Sequence, residues 1–264
     1  MPVFNEAATV ETVVRKVLDL PISLELIIVD DGSDDGTREI VDGLRRTDPR
    51  IRVIHQENAG KSAALRAGFA QTTGAIVIVQ DADFEYDPSE IAHVIQPIVD
   101  DHADVVYGSR FMVRRTARVL YYWHYVANQF LTLISNILTN LNMTDIETGY
   151  KAFRGEIIRA MVIEASGFGF EVEVTAKVAK LGVIIYEVPI SYYGRTYEQG
   201  KKIGMRDGLA AIWYLVRFNL LVGISRSFLD RPEVGKRADP MAEPSGAAGA
   251  GLPGNRPTKT SARS

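Results

Sequence analysis

The residues best able to do chemistry in this chain are two sets of carboxylates, the second about fifty positions after the first. The first set closes the run LELIIVDDGSDDGT, residues 24–37, and the second closes AIVIVQDADFEYDP, residues 75–88. Asp30 and Asp31 follow one apolar run, while Asp81 and Asp83 follow the other with a single residue between them. On an extended segment that spacing points Asp81 and Asp83 the same way, and Glu85 continues the alternation. Crowded carboxylates repel unless a cation or a hydrogen-bonded ligand compensates them. The chemistry implied is a divalent cation, Mg²⁺ or Mn²⁺, on Asp81, Asp83 and Glu85, holding the phosphates of a ligand. Asp31 would accept hydrogen bonds from a base or a ribose. Taken one at a time, each cluster also suits a capped or solvated turn.

Basic residues complement the acids. Asn58-Ala59-Gly60-Lys61 opens a helical stretch, where backbone N–H groups and the Lys61 ammonium favour an anion. Arg110 follows an apolar run and is trailed by Arg114, Arg115 and Arg118, then by Tyr121, Tyr122 and Trp123. Arginines ahead of aromatic residues suit a phosphate beside a greasy chain, and equally a solvated basic loop. Arg195, Lys201 and Lys202 form a second basic segment among glycines. That segment reads either as a loop that closes on phosphate or as plain surface.

To bring these groups together the chain needs a sheet. The runs at 24–29, 51–55, 75–79 and 103–107 read as buried parallel strands. Helical periodicity falls between them, for example at Val10, Val13, Val14 and Val17. The alternation predicts a doubly wound, mostly parallel α/β sheet flanked by helices, whose ligands bind beyond the carboxyl ends of the strands. A long helix is expected over 119–141, another over 171–181 and a strand over 182–189. Residues 1–229 form the expected domain, ending in an amphipathic helix near 205–224. Residues 230–264, rich in Pro, Gly, Ala and Ser, are expected to be a disordered tail.

Bulk properties narrow the function. The chain has 264 residues, 46% apolar and 24% charged, with a net charge of -3, which disfavours nucleic acid as a partner. It has no cysteine, which rules out disulfides and thiolate metal sites. Its late apolar run, 209–224, would span about 24 Å as a helix, against about 30 Å of bilayer hydrocarbon. Arg217 and Asn219 interrupt it, so an interfacial or buried helix is expected rather than a spanning one. Met1-Pro2-Val3-Phe4-Asn5-Glu6 reads as the loop after a strand that the chain lacks. On that reading the natural protein would begin about six to ten residues earlier.

Read in order, these segments resemble glycosyltransferase family 2 with its GT-A fold, closest to polyprenyl-phosphate sugar transferases of the dolichol-phosphate mannose synthase type. The matching residues are Pro2 to Glu6, VDDGSDDGT, Asn58 to Lys61, QDAD, Tyr107-Gly108-Ser109-Arg110, TDIETGYK over 144–151, VPISY over 188–192, and Arg195. The resemblance implies an inverting transferase. It would move a hexose, mannose from GDP-mannose in the leading reading, from a nucleotide-diphosphate sugar to a polyprenyl phosphate.

By the same resemblance Pro2, Phe4, Glu6 and Asp31 line the nucleotide pocket, Lys61 lies near its phosphates, and Asp81 and Asp83 flank the metal and diphosphate. Arg110 and Arg195 meet the lipid phosphate. A lipid phosphate is already anionic and needs no strong base, whereas a sugar hydroxyl would, with Asp145 the candidate base or else a helix cap or supporting group. The alternatives are transfer to a glycan hydroxyl, or a non-catalytic nucleotide-sugar-binding subunit. The expected setting is the cytoplasmic face of a membrane, peripherally, with room for an integral membrane partner. One departure from the family pattern is at the second basic residue after Arg110, where His124 stands near Trp123.

Overall fold

A computed structural model describes residues 1–112, 121–167, 169–195 and 205–232. The described chain alternates strand and helix: β1 (Pro2–Val3), α1 (Val10–Leu18), β2 (Leu26–Asp30), α2 (Thr37–Thr47), β3 (Ile51–His55), α3 (Lys61–Phe69) and β4 (Ile76–Ile78). It continues with α4 (Ile91–Val99), β5 (Val105–Ser109), α5 (Tyr122–Thr139), β6 (Lys151–Arg154), α6 (Gly155–Ala160), α7 (Phe170–Leu181), β7 (Ile185–Pro189) and α8 (Met205–Val216). A π-helical turn, Arg217–Leu221, extends α8.

The strands form two ladders, β1-β2-β3 and β4-β6-β5-β7. Pairing is parallel in the first ladder and between β5 and β7. β6 alone runs antiparallel to its two neighbours, β4 and β5. The expectation of a mostly parallel sheet flanked by helices therefore holds, with one reversed strand inside it. The start of the chain is corrected. Pro2 and Val3 are not a loop but a short strand, in register with Val29 and Asp30.

Burial explains why these segments take these forms. Every residue of β2 and of β5 is buried, as continuous Ile/Val runs require of strands covered on both faces. α1 turns Val10, Val13, Val14 and Val17 inward and keeps Glu11 and Arg15 as an exposed pair at 2.7 Å. α7 is different, since ten of its twelve residues are buried, charged ones among them. Its Lys177 and Glu173 pair at 2.5 Å with both side chains wholly enclosed. Glu173 also accepts from the backbone N–H groups of Glu164 and Ala165, and Lys177 donates to the Val162 carbonyl. Removing one member of such a pair strands a buried charge, so the pair fixes α7 against the segment before it.

Candidate active site

The carboxyl ends of the strands open into one cleft of about 800 Å³. Its first wall comes from the loops after β1, β2 and β4. The loop after β1 is tied to the turn after β2 by a ladder of short contacts. Asn5 Nδ2 donates to Asp34 at 2.9 Å, while the Asp34 N–H returns a bond to Asn5 Oδ1 at 3.0 Å. Glu6 N–H donates to Thr37 Oγ1, and Ala7 N–H donates to Asp35. These bonds hold Phe4 at the mouth of the cleft and Glu6 inside it. Gly32, at φ +77°, lets the turn pass the backbone of Asn58, where an added Cβ would lie 2.8 Å from the Asn58 nitrogen.

Asp31 is enclosed and fully engaged. It accepts from Gln56 Nε2 at 2.6 Å and from the N–H groups of Ala59 and Gly60 at 2.9 and 2.8 Å. Its carboxylate thus shapes the turn that delivers Lys61. The Lys61 ammonium lies 3.2 Å from Asp81 and 3.1 Å from Glu171. Burial works against that charge, but the two carboxylates outweigh it and hold the ammonium well above its ordinary pKa.

Asp81, Asp83 and Glu85 all line the cleft, as their alternation predicts. Burial first, then the charges of Asp81 and Glu85, push Asp83 up to about 7, and Arg195 offsets this only in part. The cluster carries more negative charge than its neighbours balance. A divalent cation on Asp81 and Asp83, completed by phosphate oxygens, fits that excess. Glu85 does not fit the expected trio. Its oxygens accept from Tyr192 Oη at 3.1 Å and from the Arg195 N–H at 2.8 Å. Among the described residues no three His, Cys, Asp or Glu side chains are arranged to hold a metal ion. The carboxylate is spent on positioning the 192–195 segment.

The two predicted acceptor arginines share the cleft but not the same surroundings. Arg195 forks onto Glu6 at 3.0 and 2.8 Å and lies 3.3 Å from Asp83, so it caps the acidic cluster. Arg110 forks onto Asp145 with two bonds of 2.7 Å, and its guanidinium stacks 5.1 Å from the Tyr192 ring. Asp145 is fully buried beneath it and is not among the residues lining the cleft. The geometry makes Asp145 the group that orients Arg110 and leaves it out of reach as a base. Arg114, Arg115, Arg118, Lys201 and Lys202 lie outside the described residues.

The opposite wall is helical and apolar. α5 contributes Trp123, His124, Ala127, Phe130 and Leu131, and α8 contributes Leu209, Ala211 and Ile212. Beyond the cleft the same two helices carry exposed Tyr122, Ile137, Trp213 and Val216. No described helix is long and apolar enough to cross a membrane. Sequence reasoning missed two inner carboxylates, Glu147 and Glu171, which line the cleft with one buried oxygen each lacking a hydrogen-bond partner. Burial, then the charge of Glu171, push Glu147 up to about 7. Glu147 sits within the quoted TDIETGYK segment. Glu171 had no signal beyond an acid in a first helical turn, a common dipole pairing.

Comparison with known proteins places this arrangement. The profile of Glycosyl transferase family 2 matches residues 1–162. An undecaprenyl-phosphate mannosyltransferase of Micrococcus luteus is 32% identical over a match covering 83% of this chain and 97% of that protein. A polyprenol monophosphomannose synthase of Mycolicibacterium smegmatis is 29% identical, covering 77% and 80%. In three dimensions the chain is similar to glucosyl-3-phosphoglycerate synthase from Mycobacterium tuberculosis, solved with Mn²⁺, uridine diphosphate and phosphoglyceric acid. That match has a TM-score of 0.65 at 20% identity and covers 84% of this chain and 77% of the other. Mannosyl-3-phosphoglycerate synthase from Rubrobacter xylanophilus gives 0.62 at 17% identity, covering 82% and 70%. With acid-bearing loops after the strands, Arg110, Arg195 and an apolar helical wall lining one cleft, and with a profile match over more than half its length, the chain belongs to glycosyltransferase family 2 and is a glycosyltransferase of the GT-A fold.

Proposed function

We propose that this enzyme transfers mannose from GDP-mannose to a polyprenyl phosphate at a membrane surface, with inversion at the anomeric carbon. The observation that carries the reading is a single cleft with an anionic, lysine-bearing wall facing one of arginine, aromatic and aliphatic residues. The first wall suits a nucleotide diphosphate with a divalent cation, and the second suits a phosphate with a hydrocarbon tail. The names of the two polyprenyl-phosphate relatives point the same way.

Asp81 and Asp83 would hold Mg²⁺ or Mn²⁺, which when bound supplies positive charge to the departing diphosphate. Lys61 is held between Asp81 and Glu171 and adds a fixed charge to the same leaving group. Phe4, with Pro2, offers an apolar platform to the base at the mouth. Arg110, pinned by Asp145, presents its guanidinium to the acceptor phosphate, and Arg195 borders both substrates. That phosphate is already ionised, so the reaction needs no base. With Asp145 occupied, transfer to a glycan hydroxyl lacks the base assigned to it.

Membrane attachment is peripheral in this reading. The exposed aromatic and aliphatic residues of α5 and α8 rest in the headgroup region, on the cytoplasmic face, beside an integral partner or none. Residues 1–229 act as the catalytic domain and 230–264 as a tail. Radiolabelled GDP-mannose incubated with the full chain, Mg²⁺ and undecaprenyl phosphate tests the activity. Label extracted into organic solvent supports it, and label that stays aqueous, with intact donor, refutes it.

A further inference from the structure

We infer that Glu147 and Glu171 form the subsite that reads the hydroxyl groups of the transferred hexose. The inference rests on the hexose-transfer reading above and adds which side chains recognise the sugar.

Among the described residues, buried carboxylates are otherwise satisfied. Glu173 takes two backbone N–H groups and the Lys177 ammonium. Asp145 takes the N–H and the guanidinium fork of Arg110. Asp104 takes the Ile184 N–H and the Arg154 guanidinium. Against that pattern, Glu147 Oε1 and Glu171 Oε2 are enclosed with no hydrogen-bond partner. Glu171 is only 5% exposed. An unpaired buried acceptor is costly, and a fold that satisfies its other acids leaves these two for a ligand.

Their location selects the ligand. Both side chains line the same cleft as Asp81 and Lys61. Lys61 touches Asp81 on one side and Glu171 on the other, so Glu171 lies one ammonium beyond the diphosphate site. Glu147 is held close to the same acids by its own loop. Two residues after it, Gly149 packs so tightly that an added Cβ would lie 2.7 Å from Asp81 Oδ2 and 2.9 Å from the Tyr86 ring. The group next to a diphosphate in a nucleotide sugar is the hexose. It presents several hydroxyl donors, and a carboxylate accepts them in short, charge-assisted bonds.

The subsite is also rigid. Buried Lys151 donates to the carbonyls of Ile146 and Thr148, on either side of Glu147. Gly149 N–H donates to Tyr86 Oη at 2.8 Å. The backbone carrying Glu147 is therefore fixed before any sugar arrives, as discrimination between hydroxyl configurations requires.

The test compares full-length wild type and Glu147→Gln with GDP, GDP-mannose and the monodeoxy analogues of GDP-mannose. Calorimetry gives binding, and transfer to undecaprenyl phosphate gives kcat/KM. In wild type, at least one deoxy analogue should lose about ten- to hundredfold in kcat/KM, the value of a hydrogen bond to a charged group. E147Q should show that loss with GDP-mannose itself, no further loss with the deoxy analogue, and GDP affinity within about twofold of wild type. Wild type that uses every deoxy analogue as well as GDP-mannose overturns the inference without recourse to any variant. So does an E147Q enzyme that keeps wild-type discrimination among them. Should wild type prefer GDP-mannose to GDP, with that preference lost in E147Q, while moving no mannose to lipid, the subsite stands and the acceptor reading falls.

Discussion

The two walls of the cleft are built on different principles. On the acidic side, carboxylates sit at strand tips and in the turns after them, and neighbouring turns are locked to them, as Ala59 and Gly60 are to Asp31. On the helical side, α5 and α8 present apolar side chains both into the cleft and outward. The first wall gains precision from hydrogen bonds to backbone. The second gains area from side chains that few directional bonds constrain, apart from the Arg110–Asp145 fork. On the proposed function, a small, charged, stereochemically defined donor would use the first kind of surface and a long flexible lipid the second.

The comparison breaks most visibly if the helical wall is undermined from below. Glu173→Ala leaves Lys177 buried and uncompensated under that wall, and is expected to cost about 3–5 kcal/mol of stability. Thermal and denaturant unfolding would measure it, and a change under about 1 kcal/mol would show that the pair does not hold α7. Asp83→Ala attacks the donor wall instead. Transfer should fall about 10²–10³-fold while the melting temperature holds, since the residue lies in the loop after β4 and not in the core. Wild-type transfer that survives excess chelator would remove the cation from the scheme.

Arg110→Lys separates the walls more finely. Losing the fork should raise KM for undecaprenyl phosphate about ten- to hundredfold and leave GDP binding unchanged. Equal losses in both would mean that Arg110 serves the donor. The smallest effect is expected outside the cleft. Trp213→Ala should weaken binding to anionic vesicles roughly threefold to tenfold without changing GDP affinity. Vesicle sedimentation reads this directly, and unchanged partition would move the membrane contact off α8.

The same contrast explains how much was legible in advance. That Asp31, Asp81 and Asp83 line the cleft was readable because they lie within a few residues of the Ile/Val runs of β2 and β4, at the carboxyl edge of those strands. Glu85 misled, because alternation fixes direction but not which partner captures the oxygen, and Tyr192 lies more than a hundred residues away in sequence. Glu147 escaped because β6 is reversed. The antiparallel strand brings its preceding loop, not its following one, to the ligand edge. Trp123 was flagged with the arginines before it, but Phe130, Leu131 and Leu209 escaped because they look like the core stripe of any amphipathic helix. Only packing reveals which face is buried and which is open.

The fork between Arg195 and Glu6 joins residues 189 positions apart in the chain. No nascent chain shorter than 195 residues can form it. At about 5–20 residues per second, ribosomal synthesis takes roughly 10–40 s to travel from one partner to the other. Through that interval Glu6 and Asp83 lack the guanidinium that caps them in the finished fold. The donor wall is thus the first part of the cleft to be made and among the last to be electrically complete. An emerging chain must carry its unbalanced acids in water, or on a transient cationic guest, until nearly the whole domain has left the ribosome.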